Sequence, residues 1–174
     1  MIANLISMQL DDRNVFLMSQ IGQHVADRLA LALTPLGLHL AHFGVLSHLR
    51  ASPGVSQQEL ANRLNVHRNA MVGLIDDLEA RGLVQRSRHP ADRRAYAVQL
   101  TDTARTILRQ AEEQADLLEA DTMAPLSGAE REQLAALLLR IARHAELPSG
   151  VHPGLYSRHG GLRGSPGAQT ASGT

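Results

Sequence analysis

A chain of 174 residues and 18.8 kDa, 44% hydrophobic and 20% charged, is long and apolar enough for one packed domain with short tails. Its 17 basic side chains are all arginine and balance 17 acids, which with the absence of lysine and cysteine excludes lysine Schiff bases, phosphate-loop lysines, disulfides and thiolate zinc sites. The balance is uneven: residues 56–101 hold 7 arginines against 5 acids and residues 102–147 hold 5 against 9, and the four aromatics are too few for a base-stacking platform.

Residues 1–10 are apolar but lack the positive flank and small-residue cleavage site of a secretory leader, and no apolar run reaches the ~18 residues a membrane span needs. The expected location is cytoplasmic. From residue 11 to about 33, Val15, Met18, Gly22, Val25, Leu29 and Ala32 recur at alternating steps of three and four, the stripe of an amphipathic helix, widened by Leu17 and Ile21. Thr34-Pro35-Leu36-Gly37 breaks it. A second helix is predicted over about 39–50, with Phe43, Leu46 and Leu49 inward, and Ser52-Pro53-Gly54 ends it. Ser56 followed by Glu59 is a capping-box pattern that opens a short helix to Leu64, with Leu60 and Leu64 as core contacts.

Asn65-Val66 reads as a turn, and the next helix runs from about 67 to 81, burying Val66, Ala70, Met71, Leu74 and Leu78 before Gly82 supplies a left-handed stop. Two strands are expected over 83–86 and 95–100, the second alternating Tyr96, Val98 and Leu100 against Ala95, Ala97 and Gln99. Between them lies a basic, proline-containing loop over 87–94. Thr101 caps a helix carrying Ala104, Ile107, Leu108, Ala111, Ala115 and Leu118. Ser127 with Glu130 opens the last helix, with Leu134, Leu137, Leu138 and Ile141. From residue 148 glycine, proline, serine and threonine dominate, and the tail is expected to be disordered. The domain therefore spans 11–147 between a short N-terminal extension (1–10) and that tail (148–174).

A short helix, a tight turn, a second helix and a hairpin with a basic tip make a winged helix-turn-helix, a mainly α fold with a small β-hairpin wing. Its second helix fits the major groove of duplex DNA, and its wing reaches neighbouring phosphates or the minor groove. Three stretches in order, Ser56-Gln-Gln-Glu-Leu-Ala-Asn-Arg-Leu, Leu78-Glu-Ala-Arg-Gly-Leu-Val-Gln-Arg and Asp92-Arg-Arg-Ala-Tyr-Ala-Val-Gln-Leu-Thr101, resemble the MarR (multiple-antibiotic-resistance regulator) family over roughly residues 11–147. The last stretch is similar to that family's D-x-R wing motif running into a V-x-L-T strand end.

The resemblance implies a homodimer whose N- and C-terminal helices (within 11–55 and 102–147) intertwine and present two recognition helices, each in a 56–101 winged core, to a pseudo-palindromic operator. The apolar stripes of the first and last helices agree, since a winged domain alone would leave them in water. His67, Arg68 and Asn69 then stand at the start of the recognition helix, where Arg68 suits guanine and Asn69 adenine. Arg94 takes the D-x-R arginine position, which in the family enters the minor groove, Asp92 pairs with it, and Arg86 and Arg88 are candidates for phosphate. Farther along, Val72, Gly73, Asp76 and Asp77 depart from the family's basic or polar pattern. The two acids are read as solvated charge that weakens phosphate attraction, and Gly73 costs about 1 kcal/mol of helix propensity against alanine.

The resemblance also implies a groove for a small aromatic or carboxylate effector, to which no residue is assigned. No cofactor is expected. His39 and His42, spaced i, i+3, are weak metal candidates beside the plainer reading that they face solvent or line a cavity. The pairs Asp76-Asp77 and Glu112-Glu113 sit on polar helix faces and suggest no catalysis. The expected function is a dimeric repressor released from its operator by an effector. The alternatives are an activator, a metal-responsive regulator, or a winged-helix protein-interaction module without DNA binding.

Overall fold

The computed structural model describes residues 13–88, 96–148 and 150. Among these, helices α1 (Asn14–Leu33), α2 (Leu40–Ala51), α3 (Gln57–Arg63) and α4 (Arg68–Ala80) precede strands β1 (Val84–Arg88) and β2 (Tyr96–Leu100), and α5 (Asp102–Thr122) and α6 (Gly128–His144) follow. The expected helix start at residue 11 lies outside the described residues, as do residues 1–10, the wing tip and all of the tail but its first residues.

Local chemistry sets the boundaries. The α1–α2 corner is a single 3-10 turn over Thr34–Leu36, closed by Gly37 at φ 66°. At α3, the Glu59 amide donates to Ser56 Oγ (3.2 Å) while the Ser56 amide donates to Glu59 Oε2 (2.9 Å), so two otherwise orphaned amides are satisfied at once. Ser127 and Glu130 repeat the arrangement at α6. There the Ser127 side chain first, and its backbone amide second, hold the Glu130 carboxyl below its ordinary pKa. Thr101 Oγ1 caps α5 by accepting from the Ala104 amide at 3.1 Å.

The strands pair antiparallel with Val84 opposite Leu100, Arg86 opposite Val98 and Arg88 opposite Tyr96, so β1 runs two residues past its predicted end. The far edge of β2 is also engaged: Ala97 bridges to Ser56, and the Val98 amide donates to Val55 O at 2.9 Å. The chain entering α3 is thereby stitched to the wing. Ala97 and Val98 are buried alike while Tyr96 is exposed, so the predicted alternation is lost.

The core is formed by Leu29 and Leu33 of α1, Val45, Leu46 and Leu49 of α2, Leu60 and Leu64 around α3, Met71, Ile75 and Leu78 of α4, and Ala104, Leu108 and Ala111 of α5. Ile75 is absent from the predicted face yet fully buried, while Ala70 and Leu74, predicted inward, are only half-buried. The first half of α1 is different. Its stripe residues Val15 and Met18, with Ile21, are exposed, and α6 buries no residue at all while exposing Leu137, Leu138, Leu139 and Ile141. Among the described residues no single helix is long and apolar enough to cross a membrane.

Candidate nucleic-acid interface

The turn between α3 and α4 is closed by Asn65 in the left-handed region (φ 51°), which asparagine tolerates better than most side chains. Beside it an open cleft of about 370 Å³ is lined by Gln58 and Asn62 of α3 and by His67 and Arg68 at the start of α4. His67 is the N-cap of α4: its Nδ1 accepts from the Asn69 amide at 3.3 Å, which leaves Nε2 to carry the ring proton. Arg68 and Asn69 follow in the first turn with exposed side chains. The opposite face, Met71, Ile75 and Leu78, is wholly buried, so this face of α4 has one orientation available to it. Along the outward face Val72 is 37% exposed, and a Cβ built on Gly73 would meet no atom within 4 Å. The structure thus brings His67, Arg68 and Asn69 together at one helix end.

Arg86 is placed differently from a free phosphate ligand. One guanidinium nitrogen faces the Glu79 carboxylate and the other the Asp76 carboxylate, while the Arg86 amide donates to Glu79 Oε1 at 3.3 Å. Its side chain is 20% exposed and ties β1 to the last turns of α4. Arg88, two residues on, is exposed at the end of β1. Asp92 and Arg94 lie outside the described residues. A seven-residue step from Glu79 into the first strand was the only sequence hint of the Arg86 clamp, and it gains meaning only once β1 folds back along α4.

The second acid is also engaged, contrary to the reading of both as solvated charge. Asp77 Oδ2 stands 3.0 Å from Nε2 of His42 and 3.6 Å from the Arg81 guanidinium. His42 Nδ1 accepts from Arg81 (3.1 Å) and from the His39 amide (3.4 Å), and a second Arg81 nitrogen donates to the carbonyl of Gly37. A neutral imidazole protonated on Nε2 satisfies every one of these contacts. His42 is therefore not facing solvent: it is 4% exposed and joins the start of α2 to the end of α4. The His39 and His42 rings lie 5.1 Å apart, but both nitrogens of His42 are already bonded. Among the described residues no group of three or more His, Cys, Asp or Glu is gathered as a metal site.

A MarR family model matches residues 36–95. A relative from Thauera aromatica, whose name assigns it to regulation of the hcr operon, is 36% identical over 110 residues, 63% of this chain and 66% of that protein. The crystal structure of a MarR family transcriptional regulator from Rhodococcus sp. RHA1 is 30% identical, with TM-score 0.66 over 76% of this chain and 94% of its own. The transcriptional repressor CouR, solved on a 23-mer DNA duplex, is 32% identical with TM-score 0.70, over 77% of this chain and 95% of its own. CouR from Rhodococcus jostii RHA1 has also been solved with p-coumaroyl-CoA (30% identical, TM-score 0.67, 76% and 94% covered).

Proposed function

This chain belongs to the MarR family of transcriptional regulators, and from that premise we propose that it is a dimeric, sequence-specific reader of duplex DNA that represses transcription until a small-molecule effector releases it. The observation that carries the reading is the start of α4. Arg68 and Asn69, the side chains best suited to guanine and adenine edges, are exposed on a helix whose opposite face is locked into the core. The CouR structure on duplex DNA supports the target, and CouR with p-coumaroyl-CoA, an aromatic acyl thioester, supports the aromatic form of the effector. The bare apolar faces of α1 and α6 support the dimer, because two copies joined there bury what one copy leaves in water. Such a dimer sets its two α4 helices about one duplex turn apart, roughly 34 Å, on a pseudo-palindromic operator. A cytoplasmic location follows from that target.

Within this assignment Arg68 and Asn69 read bases, His67 caps the helix and offers Nε2–H to the backbone, Arg88 meets phosphate, and Arg94, held by Asp92, enters the minor groove. Effector release is a shift between two arrangements of the winged domains that bind the effector unequally. The test is a titration of purified protein against the duplex upstream of its own gene and a scrambled duplex, over a salt series, with Arg68→Ala and Arg94→Ala alongside. Preferential binding to the native duplex, lost in both variants, is the expected result, and its salt slope counts the phosphates neutralised. Equal, weak binding to both duplexes and to every site in a genomic pull-down overturns the reading in favour of a protein-interaction module.

A further inference from the structure

Gly73 lies inside α4, where alanine would favour the helix, yet nothing in the folded chain occupies the space a side chain would take. Its own fold gives no steric reason for glycine there. Val72 beside it is an exposed, β-branched, apolar residue on a face otherwise formed by Arg68, Asn69 and Asp76. Both make sense against a surface that comes very close and carries an apolar feature among polar ones. The major groove is such a surface: its base edges are donors and acceptors apart from the C5-methyl of thymine. One helical turn separates Arg68 from Val72, about 6 Å along the axis, or roughly two base steps. Asp76, one turn further on, carries its own counter-charge in Arg86 and so does not hold this face away from the phosphates.

We propose that Val72 reads the methyl group of a thymine about two base steps from the base Arg68 contacts, and that Gly73 lets the helix sit deep enough to reach it. The inference rests on the DNA-reading function above and adds part of the sequence it reads: in each half of the operator, a thymine at a fixed offset from a guanine.

The experiment begins with selection of bound duplexes from a random-sequence pool by the full chain. Each thymine of the enriched site is then replaced singly by deoxyuridine, which removes the methyl and nothing else. The expected result is one position per half-site where deoxyuridine weakens wild-type binding by about three- to fivefold, the loss of one buried methyl contact. Val72→Ala, at an exposed position that leaves the core intact, should bind thymine and deoxyuridine there within about twofold of each other, since the partner of the methyl is gone. Gly73→Ala should raise the thermal midpoint of the free protein and yet weaken binding to the enriched site. If no deoxyuridine weakens wild-type binding, or if the penalty persists in Val72→Ala, the assignment of Val72 is overturned. If Gly73→Ala binds as tightly as wild type, the depth argument is overturned. A pool that yields no enriched sequence removes the DNA-reading function itself, an outcome separable from the others.

Discussion

Replacing Arg86 by glutamine removes a guanidinium that faces two carboxylates at once, one from Asp76 and one from Glu79, at the junction of α4 and β1. The arginine side chain is 20% exposed, and its partners are 58% and 39% exposed, so each pair is partly screened and is worth the upper part of the range for surface pairs rather than that of a buried bridge. Together they contribute about 1–2 kcal/mol. For a chain of this length that is a fall of about 3–6 °C in thermal midpoint. The Arg86 amide keeps its bond to Glu79, so the strand should stay paired. The assay is urea unfolding at fixed protomer concentration, with the denaturant slope unchanged, paired with a salt series of DNA binding. If Arg86 is the clamp, stability falls and the salt slope stays as in wild type. Unchanged stability with a salt slope reduced by about one phosphate would mean that the two carboxylates do not hold Arg86 and that it contacts the DNA backbone.

His42→Ala removes a buried ring that bonds Asp77, Arg81 and the start of α2, and should cost about 2–3 kcal/mol in urea unfolding; a loss under about 0.5 kcal/mol means the contacts carry no net energy. The Ser127–Glu130 cap should titrate. Because folding lowers the Glu130 pKa, its stabilising contribution is full above the unfolded-state pKa and is lost as pH falls through the native one. The coupling between Ser127→Ala and Glu130→Ala should therefore be present at neutral pH and vanish in acid, and a coupling independent of pH contradicts the account. Leu138→Glu together with Ile141→Glu, both exposed on α6, should give a folded monomer by sedimentation, with native helix content; a dimer that survives both changes places the interface elsewhere.

What could be read from the sequence was what neighbouring residues decide among themselves. The caps at Ser56, Thr101 and Ser127 and the left-handed stop at Gly82 involve partners within a few positions, and each forms as the pattern predicts. The exposed trio at the start of α4 follows from the same local order. Partners far apart in sequence left no such trace. His42 and Asp77 are 35 positions apart and meet only because α2 crosses the end of α4, so the sequence alone leaves His42 between solvent, a cavity and a metal and presents Asp77 as solvated charge. Arg86 stands beside Arg88 as a phosphate candidate in the sequence for a related reason: basic residues near a wing tip resemble one another until the backbone shows which of them faces carboxylates on a helix. On α1 and α6 the periodicity correctly marks an apolar face but does not say what covers it, and within one chain much of that face stays bare.

The Arg86 clamp separates two kinds of information. It ties β1 to α4 inside a single copy, whereas in the proposed dimer the distance between two copies is set by α1 and α6, which share no side chain with the clamp. On the proposed function, the spelling and the spacing of the operator are then written in different parts of the chain. A change at Val72 can alter the letters a half-site requires while its centre-to-centre distance stays the same, and a change at Leu138 can do the reverse. Duplicated copies of such a gene can diverge along either axis alone, acquiring new target words without first rebuilding the dimer.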